Sequence, residues 1–266
     1  WNRRATNDGL SDLLTVVYTT SPVPFNPNTS LLSHTIETSR NVPGLSKCRS
    51  IICCDGYKVA ESGHRPKDTK NGRVPREMAD NYETFVENLR KEYIENPKEY
   101  LGDVSLMVFR QRQGFGFLVM HALRQCTTRF VLVMQHDYPI MRKFDCLGVV
   151  EAMLSLEESV KYVSLLSTST LNQKEKMKTM KRSSRIPEEI AVEKFTFVPL
   201  YFWYDKPHIA EVKFYLETVF QGSVSRGQFI EDTFGQVMRK ACKEEGSGGH
   251  ARYKTYVLND GKCVPM

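Results

Sequence analysis

Three acidic features of this 266-residue chain stand where an α/β protein would place its chemistry. Asp55 closes the apolar run RSIICC and Asp137 follows RFVLVMQH. Glu231-Asp232 lies within GQFIEDTFGQVMRK, where a helical pattern begins. In an open parallel sheet, ligands collect at the carboxyl ends of the strands, so the residues after each strand are the ones to question. A carboxylate after the second strand can accept hydrogen bonds from a ribose or a base, and one after a later strand can hold a divalent cation beside a diphosphate. The first apolar run, LLTVVYT, leads into Thr19, Thr20, Ser21 and Pro22. Together these describe a nucleotide-diphosphate site.

Each feature also has a plain structural explanation. Asp-Gly and Asp before Tyr-Pro start turns, and acidic residues favour the positive end of a helix dipole. The order of all three, each at an expected strand end or helix start, makes coincidence the weaker explanation.

The elements that must position these groups alternate along the chain. Strand-like runs at 13–19, 49–54, 104–109, 129–134, 161–166 and 197–204 are separated by helical patterns at 30–40, 79–95, 115–125, 144–158 and 207–220. The last helix has Asp205 near its N-cap. This alternation predicts an α/β chain on a largely parallel sheet. Polar, basic stretches at 63–76 and 171–185 read as excursions from it, and no repeat or clean linker divides the chain.

Composition narrows the function classes. With 41% hydrophobic and 11% aromatic residues the chain can bury a substantial core. It has no apolar run of about 18 residues, so no membrane span is expected. It begins at Trp1 without a leader-like segment, a start compatible with a targeting segment having been removed. The net charge of +6 suits phosphate-bearing ligands and falls short of a nucleic-acid signature. Seven cysteines without a C-x-x-C pair favour a reducing, cytoplasmic setting, with a bridge near Cys263 left open.

On these residues the chain resembles glycosyltransferase family 2, inverting nucleotide-sugar transferases with the GT-A fold. Residues 13–56 are similar to the family's opening, with Cys54-Asp55-Gly56 in place of its Asp-Asp-Gly. In QGFGFLVMHALRQCTTRFVLVMQHDY, Gly114 takes the position of the family's leading Gly, and Gln135-His136-Asp137 that of its Asp-x-Asp element. Glu231-Asp232 resembles its Glu-Asp motif, and the likeness spans most of residues 13–240.

The resemblance implies a single GT-A-like, Rossmann-type α/β domain, with a mostly parallel central sheet flanked by helices. Residues 1–140 would form the nucleotide-sugar-binding half and 141–266 the acceptor-side half. It implies hexosyl transfer from a UDP-sugar to a hydroxyl acceptor, with no nucleic-acid partner. Thr19, Thr20, Asp55, Gly114, Gln135 and His136 would bind the donor, and Asp137 would hold Mn²⁺ or Mg²⁺ with His250 completing the shell. Asp232 would be the general base, with Glu231 beside it. Gln135 departs from the family's Asp, and Val119 and Met120 from its Arg and Asn; losing one carboxylate weakens cation binding.

Two alternatives stay open. One is a catalytically inactive GT-A-like binding module; the other is a sugar-phosphate nucleotidyltransferase, against which the missing Gly-rich signature after the first strand counts. Gly114-Phe115-Gly116 lacks the third Gly or Walker Lys of a phosphate loop. His121, on an apolar helix, reads as a packed residue. Tyr201, Trp203 and Tyr204 read either as core or as an acceptor platform, with core preferred.

Overall fold

The computed structural model describes residues 9–60, 71–173, 175–176, 187–262 and 265–266. The basic stretches at 63–76 and 171–185 fall largely outside the described residues, as does Cys263. Strand β1 (Leu14–Thr20) is buried along its whole length, as is β2 (Ser50–Cys54). Continuous apolar runs of this kind are what a sheet covered on both faces requires. β1 pairs in parallel with β2 and with β6 (Phe130–Gln135), and β2 pairs in parallel with β5 (Val104–Val108).

Beyond β6 the sheet continues through β10 (His208–Glu211), β7 (Tyr162–Ser164), β11 (Thr255–Asn259), β9 (Phe195–Pro199) and β8 (Ile190–Val192). Only β9 and β10 run against the rest, as the pairings show. The chain is therefore a mixed α/β structure on a large, mostly parallel sheet. Two short strands, β3 (Lys58–Val59) and β4 (Arg73–Val74), form a separate ladder.

From β1 to β2, and from β2 to β5, the chain moves one way across the sheet; from β5 to β6 it moves back. Right-handed crossovers then put the helices Ser30–Glu37 and Arg76–Leu89 on one face and Phe115–Leu123 on the other. Arg76–Leu89 buries Ala79, Tyr82, Phe85 and Leu89, one stripe at helical spacing. Phe115–Leu123 is apolar nearly all round, because segment 224–230 covers its outer side: Val224 and Ile230 crowd Gly116.

The sequence pattern at 207–220 predicts a helix, and this is corrected: His208–Glu211 is a strand inserted between β6 and β7. Only Val212–Val219 is helical, as an α-turn running into a π-turn. Ala and Glu favour helix locally, but the vacant edge between two buried strands supplies backbone partners on both sides, and that tertiary term wins. The pattern at 197–204 likewise gives way to β9 five residues long, followed by an irregular segment that carries Trp203 and Asp205.

His208 is fully buried, with Nδ1 on the Lys206 carbonyl at 2.7 Å and Nε2 near the Tyr215 hydroxyl at 3.2 Å. Burial pushes its pKa down from 6.5 to about 4. Between those values the unfolded chain binds a proton that the folded chain refuses, so stability falls as pH drops from about 6.5 toward 4. That window corresponds to about 3 kcal/mol. Urea denaturation from pH 7 to 4 should show this loss in the wild type and a flatter profile in His208→Gln; equal slopes would remove His208 as its source.

Candidate active site

The reversal in strand order between β1 and β6 is a topological switch point, where α/β sheets leave a crevice at the strand ends. A cavity of about 450 Å³ opens there. It gathers Thr19 and Thr20 from the end of β1, Asp55 after β2, Gly114 after β5, and Gln135 and His136 from the end of β6. These six are the residues expected at a donor site, brought together from four strand ends. Among the lining residues not anticipated are Arg112, Phe115 and Phe229, beside Val23, Gly72, Val74 and Leu118. Phe229 is 43% exposed and stacks on Phe115, with ring centroids 5.9 Å apart.

Asp55 is buried, and its carboxylate is used within the protein. Oδ1 accepts the backbone N–H groups of Gly56 at 2.8 Å and Gln113 at 2.6 Å, and Oδ2 accepts that of Gly114 at 3.0 Å. Burial pushes its pKa up, while the three amides and nearby Arg112 pull it down. The loop thus held is unusually close to its neighbour. Gly114 has φ of 77°, and a Cβ there would stand 2.5 Å from Gly227 Cα, so both the backbone conformation and the space require glycine. The Gly227 N–H donates to the Gln113 carbonyl at 2.6 Å, locking the two segments together.

Gln135 faces the cavity but its amide is also engaged: Nε2 donates to the Asp205 carbonyl at 2.7 Å. Asp205 is a buried acid that the sequence offered only as a helix cap. Its N–H donates to Glu231 Oε2 at 3.1 Å, and the Glu231 N–H donates back to Asp205 Oδ2 at 3.2 Å. Oδ1 is buried with no hydrogen-bond partner among the described residues. Burial pushes the Asp205 pKa well up, and the charge of Glu231 adds to the shift. Asp232 differs from both acids: it is exposed and makes no hydrogen bond or ion pair among the described residues.

The expected cation ligands are not brought together. Asp137 is exposed beside the cavity and is not part of its lining. His250 is buried between Tyr201 and Tyr256, with Nε2 donating to the Thr255 carbonyl at 2.8 Å; burial pushes its pKa down. Thr255 lies level with Tyr162, Ala210 and Val131, four residues below Gln135 and three strands across. That is roughly 13 Å along the strands and about 14 Å across them, beyond the reach of one ion whose ligands lie within about 2.6 Å. Among the described residues no three His, Cys, Asp or Glu side chains gather as a metal site. The pair Asp137 and His250 therefore does not fit a metal.

His136 Nδ1 is buried without a hydrogen-bond partner, and burial pushes this imidazole's pKa down. Trp203 and Tyr201 belong to the core; Trp203 packs on Tyr162, Tyr215 and Phe234. The exposed aromatic of the cavity is instead Phe229, two residues before Glu231 in a stretch whose apolar pattern gave no sign of it.

Removing the Asp55 carboxylate leaves three buried amides unsatisfied. Asp55→Ala should cost roughly 3 kcal/mol of stability in urea denaturation, in addition to weakening any ligand of the cavity. A fully stable variant would show that the amides find other partners.

No family model matches the chain, and no curated protein matches it. Among solved structures it is similar to S. aureus TarS, with TM-score 0.45 and 13% identity over 93% of this chain and 35% of TarS. It is also similar to the mannosyltransferase PcManGT from Pyrobaculum calidifontis in complex with GDP-Man and Mn²⁺, with TM-score 0.40 and 12% identity over 77% of this chain and 46% of that one. A third is the CMP:2-keto-3-deoxy-manno-octonic acid synthetase complexed with CTP, with TM-score 0.40 and 8% identity over 92% and 88%. The chain thus spans about a third of TarS and under half of PcManGT.

Proposed function

We propose that this chain is an inverting glycosyltransferase that moves a hexose from a nucleotide diphosphate sugar, with UDP as the carrier, to an acceptor hydroxyl. The observation that carries this reading is the convergence of Thr19, Thr20, Asp55, Gly114, Gln135 and His136 in one cavity at the switch point of the sheet. Arg112 gives that cavity a positive charge suited to a diphosphate, and the Phe115–Phe229 stack gives it a flat apolar wall. Asp55 shapes the site through the loop it holds.

In the transfer, the acceptor oxygen attacks the anomeric carbon from the face opposite the leaving group. A new C–O bond forms as the bond to the diphosphate breaks, the electron pair leaves with the diphosphate, and the hydroxyl proton passes to Asp232. The carboxylate of Asp232, exposed and without a hydrogen-bond or ion-pair partner among the described residues, suits that role, whereas Glu231 is tied to Asp205. A divalent cation, when bound, neutralises charge on a leaving diphosphate; with His250 out of reach, Asp137 is the carboxylate left to hold one.

Calorimetric titration with UDP, GDP and dTDP, each with and without Mn²⁺, tests the donor site. Saturable binding of at least one is expected, and binding of none would overturn the reading. For the base, Asp232→Asn should lower turnover by about 10²-fold or more with donor affinity nearly unchanged. Normal turnover in that variant together with loss in Glu231→Gln would exchange the two roles.

A further inference from the structure

Asp205 sits where a carboxyl group is expensive to bury. Tyr162 packs on Trp203, two residues before it, and the Asp205 charge is felt by both Tyr162 and Tyr215. An acid in such surroundings requires partners. Among the described residues its hydrogen bonds form one chain of contacts: Gln135 to the Asp205 carbonyl, Asp205 N–H to Glu231, and Glu231 N–H back to Asp205. One end of this chain lines the cavity and the other end is covalently next to Asp232.

We propose that Asp205 is a positioning residue that clamps the Glu231-Asp232 step to the carboxyl end of β6 through Gln135, and so fixes where Asp232 stands against the cavity. This rests on the transferase reading for its catalytic consequence, though not for the clamp itself.

Three features favour a clamp over an incidental contact. First, the reciprocal pair joins residues 26 positions apart, so it closes the whole excursion from β10 through the π-turn to the Glu231 turn. Second, that turn is pinned on its other side: Ile230 is fully buried, its carbonyl accepts the Gly235 N–H at 2.9 Å, and Thr233 Oγ1 donates to the Phe229 carbonyl at 3.0 Å. With Ile230 buried and Glu231 tied, Asp232 is the residue left facing outward. Third, the tie needs a donor at position 135. Gln has an N–H₂ group for the Asp205 carbonyl and an ionised Asp has none. The departure of Gln135 from the Asp-x-Asp pattern thus replaces a candidate cation ligand with a structural link.

Burial pushes the Asp205 carboxyl pKa well up, and the nearby Glu231 charge pushes it the same way. Asn is a close mimic: it can accept from the Glu231 N–H, while Leu cannot.

The test combines amide hydrogen exchange across residues 204–206 and 229–233 with steady-state turnover of UDP-, GDP- and dTDP-hexoses by the full chain. Asp205→Leu should speed exchange at Glu231 about tenfold or more and lower kcat roughly 10²-fold with donor KM within about twofold. Asp205→Asn should recover the protection and most of the lost kcat. If Asp205→Leu does not fold, Gln135→Leu takes its place, with faster exchange at Asp205 and Glu231 expected. Unchanged exchange in a folded Leu variant overturns the clamp, as does failure of Asn to restore protection. A rise in KM with kcat intact overturns the positioning of Asp232. If the unaltered chain turns over none of the donors, the transferase reading fails while the exchange comparison still judges the clamp.

Discussion

Three backbone amides converge on the carboxylate of Asp55, and the architecture of the cavity depends on that convergence. A carboxylate with little access to water is costly unless its oxygens are satisfied. Here the satisfaction comes from the loop that follows β5, so the end of β2 dictates the path by which the chain enters the helix Phe115–Leu123. That path brings Gly114 against Gly227, and the Gln113 carbonyl takes the Gly227 N–H. Phe229 is thereby carried to the cavity rim, where it meets Phe115. One buried charge thus couples residue 55 to a wall of the site built some 170 positions later in the sequence.

The sheet supplies the second constraint. Reversal of the crossover direction at β1 and β6 separates the helices to opposite faces and leaves the crevice between them uncovered. Because β1 and β6 are buried throughout their apolar lengths, the first polar side chains available are at their carboxyl ends, and these are Thr19, Thr20, Gln135 and His136. Insertion of β10 against the run of β6 then brings the segment before it, with Asp205, to the same edge. Without that antiparallel strand the Glu231 turn would have no direct tie to the end of β6.

Much of this was legible from the amino-acid sequence, and the reasons divide cleanly. β1, β2, β5 and β6 fall within a residue or two of the apolar runs at 13–19, 49–54, 104–109 and 129–134; β1, β2 and β6 are buried on both faces and so are apolar nearly throughout, while β5, at the sheet edge, is only partly buried. The cavity residues were legible because they terminate those runs. Features set by long-range contact were not. Strand β10 is written in helix-favouring letters and is made a strand by its neighbours. Arg112, Phe229 and Asp205 act through contacts with residues distant in the chain, which leave no local pattern. His250 shows the converse failure: its place near the C-terminus invited a ligand role, but it bonds the Thr255 carbonyl at the start of β11, three strands from β6.

The acidic residues around the cavity fall into two physical classes. Asp55, Asp205 and Glu231 all accept backbone N–H groups inside the protein, and each joins segments far apart in sequence. Asp137 and Asp232 are exposed and make no hydrogen bond or ion pair among the described residues. A carboxylate already accepting amides has lone pairs committed and loses stability if it moves, so it is poorly suited to exchange protons with a substrate. The exposed pair carries no such restraint. Neither Asp137 nor Asp232 is part of the cavity lining, which holds Asp55 and Arg112. The acids that build the site are thus separate from the exposed acids at its margin, and the two sets answer to different physical demands.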